Sequence, residues 1–277
     1  MLDVLVKKKI LLVTNGCTES WQTIEYAVRM AVLMNIPLTF LGVVEKEDDE
    51  HPVEAIFSRA LSLFQQKGLA YELQLVNGET EDVLAEIVWD DDTYLFVGPL
   101  GRSQFRHWLL GRSFRKIMES VPSPIFYVRS GRTALDKVLI CFGGLDYTGK
   151  AEEIGISLGK LAGAELTFLH VVPPVVSDRL PGQGNGVDGQ ELAEEVSVRI
   201  LRDARKHADA KGVTSNVVVR QGNVVNQILA EVQATQYDLV CMGSSFSDQD
   251  SLRHLYAPNV TAEIAEAVNA PILTARR

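Results

Sequence analysis

Cysteine is scarce in this chain. Cys17, Cys141 and Cys241 are the only three in 277 residues. An odd number, widely spaced, excludes a disulfide framework and the paired spacings of zinc and redox motifs. Cys141 and Cys241 lie inside apolar strand-like runs, where a thiol packs as a small hydrophobe. Long apolar runs are missing too. The run after Lys7-Lys8-Lys9 is only Ile10 to Val13, too short for the core of a secretory leader. No stretch approaches the roughly 20 apolar residues of a membrane span. These absences lead us to expect a cytoplasmic protein with no membrane span. Basic charge is in deficit, with 27 Lys and Arg against 36 Asp and Glu and a net charge of −9. Broad sequence-independent nucleic-acid binding needs a basic face, so no nucleic-acid partner is expected. There is no Walker A loop and no His-Glu-x-x-His. His51, His107, His170, His207 and His254 are scattered without metal-ligand spacing. No nucleophile stands in a recognisable arrangement with a base. No catalytic residue and no metal site is therefore assigned.

What is present is a repeat. Ile10-Leu11-Leu12-Val13 reads as a buried parallel strand, and Val138-Leu139-Ile140-Cys141 reads the same way. Leu38-Thr39-Phe40-Leu41 recurs letter for letter as Leu166-Thr167-Phe168-Leu169. Leu84-Ala85-Glu86 recurs as Leu229-Ala230-Glu231. The offset grows through one insertion, Pro173 to Gln190, whose Pro and Gly content reads as a surface loop. We divide the chain into residues 1–132 and 133–277. Strands are expected near 9–14, 38–44, 71–76, 94–98 and 124–129. Helices are expected near 19–34, 53–67, 80–90 and 112–120. In the second repeat strands are expected near 137–142, 166–172, 214–220, 238–243 and 271–275. Strands alternating with helices call for an α/β fold, here two tandem doubly wound parallel-sheet domains of five strands each. Ligands of such Rossmann-like sheets sit beyond the carboxyl ends of the strands, where strand order reverses.

The first repeat carries a candidate phosphate loop. Gly98-Pro99-Leu100-Gly101 follows strand four, and Gly111-Arg112-Ser113 opens the next helix. Glycines let backbone N–H groups approach a phosphate, and a helix N-terminus favours an anion. No Asp or Glu occurs from Pro99 to Met118, while Arg102, Arg106, His107, Arg112, Arg115 and Lys116 all fall there. Basic residues in a first helical turn are unfavourable with the dipole unless an anion sits there. The plainer alternative is a solvated basic face that docks an acidic partner. The second repeat breaks the pattern. Gly243-Ser244-Ser245 is followed by Phe246, and Pro258 stands where the third glycine belongs. Asp248, Asp250, Glu263 and Glu266 replace the basic cluster, so this site reads as degenerate. The run Glu45 to Glu50 reads as a solvated acid-rich turn, and His170 as a structural or pocket-wall residue at a buried strand end.

At these residues the chain resembles the universal stress protein family in its tandem two-domain form. The family signature is Gly-x-x-Gly, nine residues, then Gly followed by Ser or Thr. Gly98, Gly101 and Gly111 match it, ahead of the Pro122-Ser123-Pro124 strand start. The resemblance implies an adenine nucleotide alpha hydrolase-like sheet of order 3-2-1-4-5 in each domain, and packing of the two through their last strands. It implies an intramolecular pseudo-dimer, with further pairing as a homodimer left open. Family members divide into nucleotide binders and non-binders. In binders, an Asp after strand one and the backbone after strand two address the base and ribose, and the glycine loop holds phosphates.

Carried over, Val13 and Thr14 match the end of strand one, and Asn15 stands where the Asp belongs. Val43 matches the adenine-backbone position. Arg112 stands where Ser or Thr belongs, with Ser113 one place later, and Arg102 adds charge. In the second repeat Gly143 replaces the Asp. The expectation is a stress-response regulator binding ATP or another adenine nucleotide in the first repeat, with Mg2+ only alongside a triphosphate, and acting on a protein partner. Two other readings stand beside it: a nucleotide-free interaction scaffold of the same family, and a slow ATP hydrolase.

Overall fold

The computed structural model describes residues 8–45, 53–90, 92–101, 113–131, 134–142, 149–172, 189–243 and 260–276. The first half comprises β1 (Lys9–Thr14), α1 (Ser20–Met34), β2 (Leu38–Val44), α2 (Val53–Gln66), β3 (Tyr71–Asn77), α3 (Thr80–Glu86), β4 (Thr93–Val97), α4 (Ser113–Ser120) and β5 (Ile125–Tyr127). The second comprises β6 (Lys137–Phe142), α5 (Gly149–Ala162), β7 (Glu165–Val172), α6 (Gly189–Ala210), β8 (Ser215–Gln221), α7 (Val224–Ala234), β9 (Leu239–Gly243), α8 (Val260–Ala267) and β10 (Ile272–Ala275).

All ten strands form one sheet in the order β3-β2-β1-β4-β5-β10-β9-β6-β7-β8. Each half thus has the order 3-2-1-4-5 that the resemblance implies. Pairing is parallel within each half, with Ile10 opposite Leu38 and Val138 opposite Leu166. The exception is the seam, where β5 and β10 run antiparallel with Phe126 opposite Leu273. The two halves are therefore joined through their last strands.

Strand positions alternate between two layers. Ile10 and Leu12 bury under α1 and α2, and Leu11 and Val13 bury under α3 and α4. Covered on both faces, β1 reads as a continuous apolar run, as a central parallel strand must. The layer holding α1, α2, α5 and α6 crosses the seam without a break. It joins Tyr26, Phe96 and Phe126 of the first half to Cys241 and Leu273 of the second. The Phe96 and Phe126 rings stack at 4.3 Å, and each such fully buried aromatic contributes on the order of 2–3 kcal/mol. Polar groups tie the seam as well. Ser130 Oγ donates to the Asn269 carbonyl at 2.6 Å, Arg129 donates to the Glu266 carbonyl, and Arg276 Nη2 donates to the Glu119 carbonyl at 2.6 Å.

The local signals behave as their chemistry directs. Asn35 takes the left-handed conformation after α1, and the Ile36 amide returns to the Ala31 carbonyl, closing the helix end. Asn223 caps α7 by accepting from the Asn226 amide at 3.1 Å. Helix α3 is shorter than its apolar pattern suggests, ending at Glu86 rather than near 90. Ile87 is extended there, and Trp89 Nε1 donates to the Leu84 carbonyl, taking one of the helix's last acceptors. Strand β5 narrows to Ile125–Tyr127 from the expected 124–129. Among the described residues no helix is long and apolar enough to cross a membrane.

Candidate functional site at the ends of β1, β2 and β4

Strand order reverses between β1 and β4, so the first half opens its candidate site at the carboxyl ends of β1, β2 and β4. Asn15 follows β1 and is 2% exposed. Its Nδ2 donates to the Leu100 carbonyl at 2.8 Å and to Glu45 Oε2 at 3.4 Å. Its Oδ1 accepts from the Cys17 amide at 3.4 Å. The preceding residue shapes the turn into α1. Thr14 Oγ1 donates to Ser20 Oγ at 2.8 Å and accepts from the Gly16 amide at 3.0 Å. Ser20 Oγ in turn donates to the Cys17 carbonyl at 2.6 Å. Short polar side chains of this kind bond local backbone in turns, and here they fix the entry to α1.

The glycine loop is held from the same side. Cys17 Sγ donates to the Pro99 carbonyl at 3.1 Å. Burial, with the nearby Glu19 carboxylate adding to it, pushes the Cys17 thiol up to about 11, so at neutral pH it keeps its proton and donates. Gly101 sits at φ 61°, and a Cβ there would lie 2.5 Å from Cys17 Cβ. Gly101 is therefore demanded twice, by its left-handed backbone and by contact with Cys17. Gly98 is demanded by packing, since a Cβ there would lie 2.1 Å from Thr23 Oγ1 of α1.

Glu45 departs from the expectation of a solvated acidic turn. It is 4% exposed, and its Oε1 accepts from Thr80 Oγ1 at 2.7 Å and from the Thr80 amide at 3.3 Å. It thereby satisfies an amide donor at the start of α3. Residues 46–50 of that acidic run lie outside the described residues. Carboxylate oxygens of Glu45, Glu79 and Glu81 lie within 4.8 Å of one another, an oxygen set of the kind a hard divalent cation takes.

Of the expected site residues, Val13, Thr14, Asn15, Val43, Gly98 and Gly101 come together at this end of the sheet. The Val13 and Val43 side chains are buried in the α3–α4 layer. Ser113 opens α4. Arg102, Gly111 and Arg112 lie outside the described residues. Sequence reasoning missed Glu45 and Thr23, and it placed Cys17 just past a strand end as a candidate reactive thiol, not as the donor to Pro99 that it is. Glu45 was hidden in an acidic run, and its position directly after β2 was the available signal.

The second half buries polar groups of its own in β7 and α7. His170, at 5% exposure in β7, sets Nδ1 2.9 Å from the Phe142 carbonyl, so that nitrogen carries the proton. Burial holds its pKa below the ordinary histidine value. Glu231 is buried, with Oε2 bound by Arg220 at 2.6 Å and Oε1 by the Tyr237 hydroxyl at 2.8 Å. Gly143 and residues 244–259 lie outside the described residues. Between the halves a cleft of about 590 Å³ opens beside Pro99, with Glu19, Tyr127, Arg129 and Glu266 on its walls.

These features define a tandem pair of doubly wound α/β units with a buried polar cluster at the switch point of the first. Residues 134–276 match the model of the Universal stress protein family, and the chain belongs to that family. The matched span is the second half, whereas the glycine series lies in the first. Two curated relatives agree. Universal stress protein MJ0531 of Methanocaldococcus jannaschii is 23% identical over 150 residues, which is 54% of this chain and 87% of that protein. Universal stress protein Slr1230 of Synechocystis is 25% identical over 226 residues, 80% of this chain and 71% of that protein. Solved structures share the fold over the whole length. A universal stress protein from Archaeoglobus fulgidus aligns at TM-score 0.69 and 16% identity, covering 99% of this chain and 97% of its own. The protein PA1789 from Pseudomonas aeruginosa aligns at 0.69 and 12% identity, covering 99% and 94%.

Proposed function

We propose that the chain is a regulatory universal stress protein that binds one adenine nucleotide, in its first half, and that residues 1–132 and 133–277 are its two domains. The observation that carries this reading is the convergence on Asn15. This carboxamide ends β1, lies 3.4 Å from the group that follows β2, and touches the backbone of the glycine loop after β4 at 2.8 Å. A ligand at the switch point would meet all three elements. Asn15 and the Val43 backbone would address base and ribose. The loop from Gly98 through Gly101, with Arg102, Gly111, Arg112 and Ser113, would hold phosphate, and Mg2+ would accompany only a triphosphate. The reading is of a binder that changes partner contacts when loaded, located in the cytoplasm; slow ATP hydrolysis is the weaker alternative.

Calorimetric titration of stripped protein with ATP, ADP and AMP tests it. Saturation near one nucleotide per chain is the expected result. No heat at millimolar nucleotide would overturn it. A second reading, a nucleotide-free scaffold, is favoured by one observation: the polar groups of Asn15 and the Cys17 thiol are already engaged within the protein.

A further inference from the structure

The hydrogen bonds at Asn15 have a direction. Two consecutive carbonyls of the glycine loop, Pro99 and Leu100, are each taken by a side chain of the β1–α1 turn. Leu100 is itself 6% exposed, with its side chain in the α3–α4 layer. The left-handed turn at Gly101 rests on Cys17, which is fully buried beneath it. On its other side, the Asn15 amide reaches Glu45, and Glu45 is anchored to Thr80 at the start of α3. A chain of hydrogen bonds thus runs from α3 through the ends of β2 and β1 to the loop after β4. Both kinds of atom on Asn15 are occupied, the nitrogen as donor twice and the oxygen as acceptor once.

The carboxamide, standing where the family resemblance implies an Asp in binders, thus has a role of its own here. An Asp at this position would offer no hydrogen to Leu100 O and would face the Glu45 carboxylate. Only a donor can join those two acceptors. We propose that Asn15 is a latch: with Cys17 it holds the glycine loop closed on the β1–α1 turn, and a nucleotide enters only by displacing it. Residues 98–101 are therefore held against that turn in the resting molecule, and the apparent affinity is lowered according to the fraction of molecules in which they are released. The second clause rests on the nucleotide reading; the closure itself does not.

Two measurements separate these. The first needs no nucleotide. Alkylation of Cys17 by iodoacetamide, followed by mass spectrometry, reports whether Gly101 still covers the thiol. Asn15→Ala is expected to speed that alkylation about tenfold or more while cooperative unfolding is retained, since closure is then held by one side chain instead of two. Asn15→Ser, too short to reach Leu100, serves if the alanine variant does not fold. An unchanged rate would overturn the latch. The second is ATP titration of Cys17→Ala, which removes half the closure and none of the proposed ligand contacts. Its ATP affinity is expected to rise by about threefold or more, with Cys17→Ser, which keeps a donor, near the parent. Equal or weaker binding by Cys17→Ala overturns displacement by ligand. If no form binds ATP, the nucleotide reading fails, and the alkylation rates still decide the closure.

Discussion

Thr23 and Gly98 compete for one space: the Thr23 hydroxyl, donating to the Val128 carbonyl at 2.9 Å, lies where a side chain at 98 would begin. Gly98 matches a phosphate-loop signature, yet its immediate neighbours are α1 and the Val128 backbone. Gly98→Ala is expected to destabilise the fold by about 1–3 kcal/mol through overpacking, with or without ligand. Thr23→Ala should recover only part of this, because the Val128 carbonyl oxygen would also lie 2.9 Å from the new methyl. Urea midpoints of the two single variants and the double variant measure the coupling. A Gly98→Ala protein as stable as the parent would return this glycine to a role in ligand contact alone.

The Asn15–Glu45 contact predicts how pH acts on Asn15→Asp. Two carboxyls would then face each other in a buried place, and one would have its folded pKa raised above its unfolded value. Such a group destabilises the fold above its unfolded pKa, and the cost disappears as pH falls below it. The variant should melt well below the parent at pH 7.5 and approach it toward about pH 4, where free carboxyls protonate. A deficit that stays constant across that range would mean the two side chains do not meet.

His170 gives the opposite kind of handle. Its folded pKa is depressed by burial, so the unfolded chain takes up a proton that the folded chain refuses. The parent therefore loses stability as pH falls below about 6.5, the ordinary histidine value, and this loss levels off below the folded pKa. His170→Gln has no such loss. It should be less stable than the parent at pH 8, and the gap should narrow on acidification. Denaturant midpoints at pH 8 and pH 5 check this, and a gap that widens would contradict the assignment.

Removing the carboxylate of Glu231 leaves both Arg220 and the Tyr237 hydroxyl without this acceptor. Arg220 is about one-third exposed and regains water, so the loss is smaller than for a fully buried pair. Glu231→Ala should cost about 2–3 kcal/mol. Glu231→Gln, which keeps one acceptor, should cost less. Thermal melts that rank the two variants the other way would show that packing rather than bonding holds this corner.

Much of this was legible in the residues. The letter-for-letter repeat of Leu38-Thr39-Phe40-Leu41 fixed the two-unit reading, because a strand buried on both faces tolerates few alternatives in size or polarity. The boundaries of β1 and β6 matched for the same reason. The end of α3 did not, since the extended Ile87 and the indole-to-carbonyl bond from Trp89 that accompany it leave no periodic trace. The site was legible in outline only. Asn15 was visible as a departure from the Asp of binders, but its meaning depended on Glu45, thirty residues away and concealed in an acidic run. Gly98 fitted a motif whose spacing says nothing of Thr23, a neighbour brought in by tertiary packing.

The antiparallel seam between β5 and β10 sets Ile125-Phe126-Tyr127 against Ile272-Leu273-Thr274. The two faces differ in sequence, so the seam is not a symmetric one. A pair of separate subunits would come apart on dilution and would have to keep one shared surface. Here the covalent tether holds the halves at a standing effective concentration on the order of millimolar. Association no longer depends on abundance, and each half can alter its own crevice without forcing the same change on the other. A molecule with a carboxamide and thiol after β1 in one half and a buried imidazole in β7 of the other is what that freedom permits.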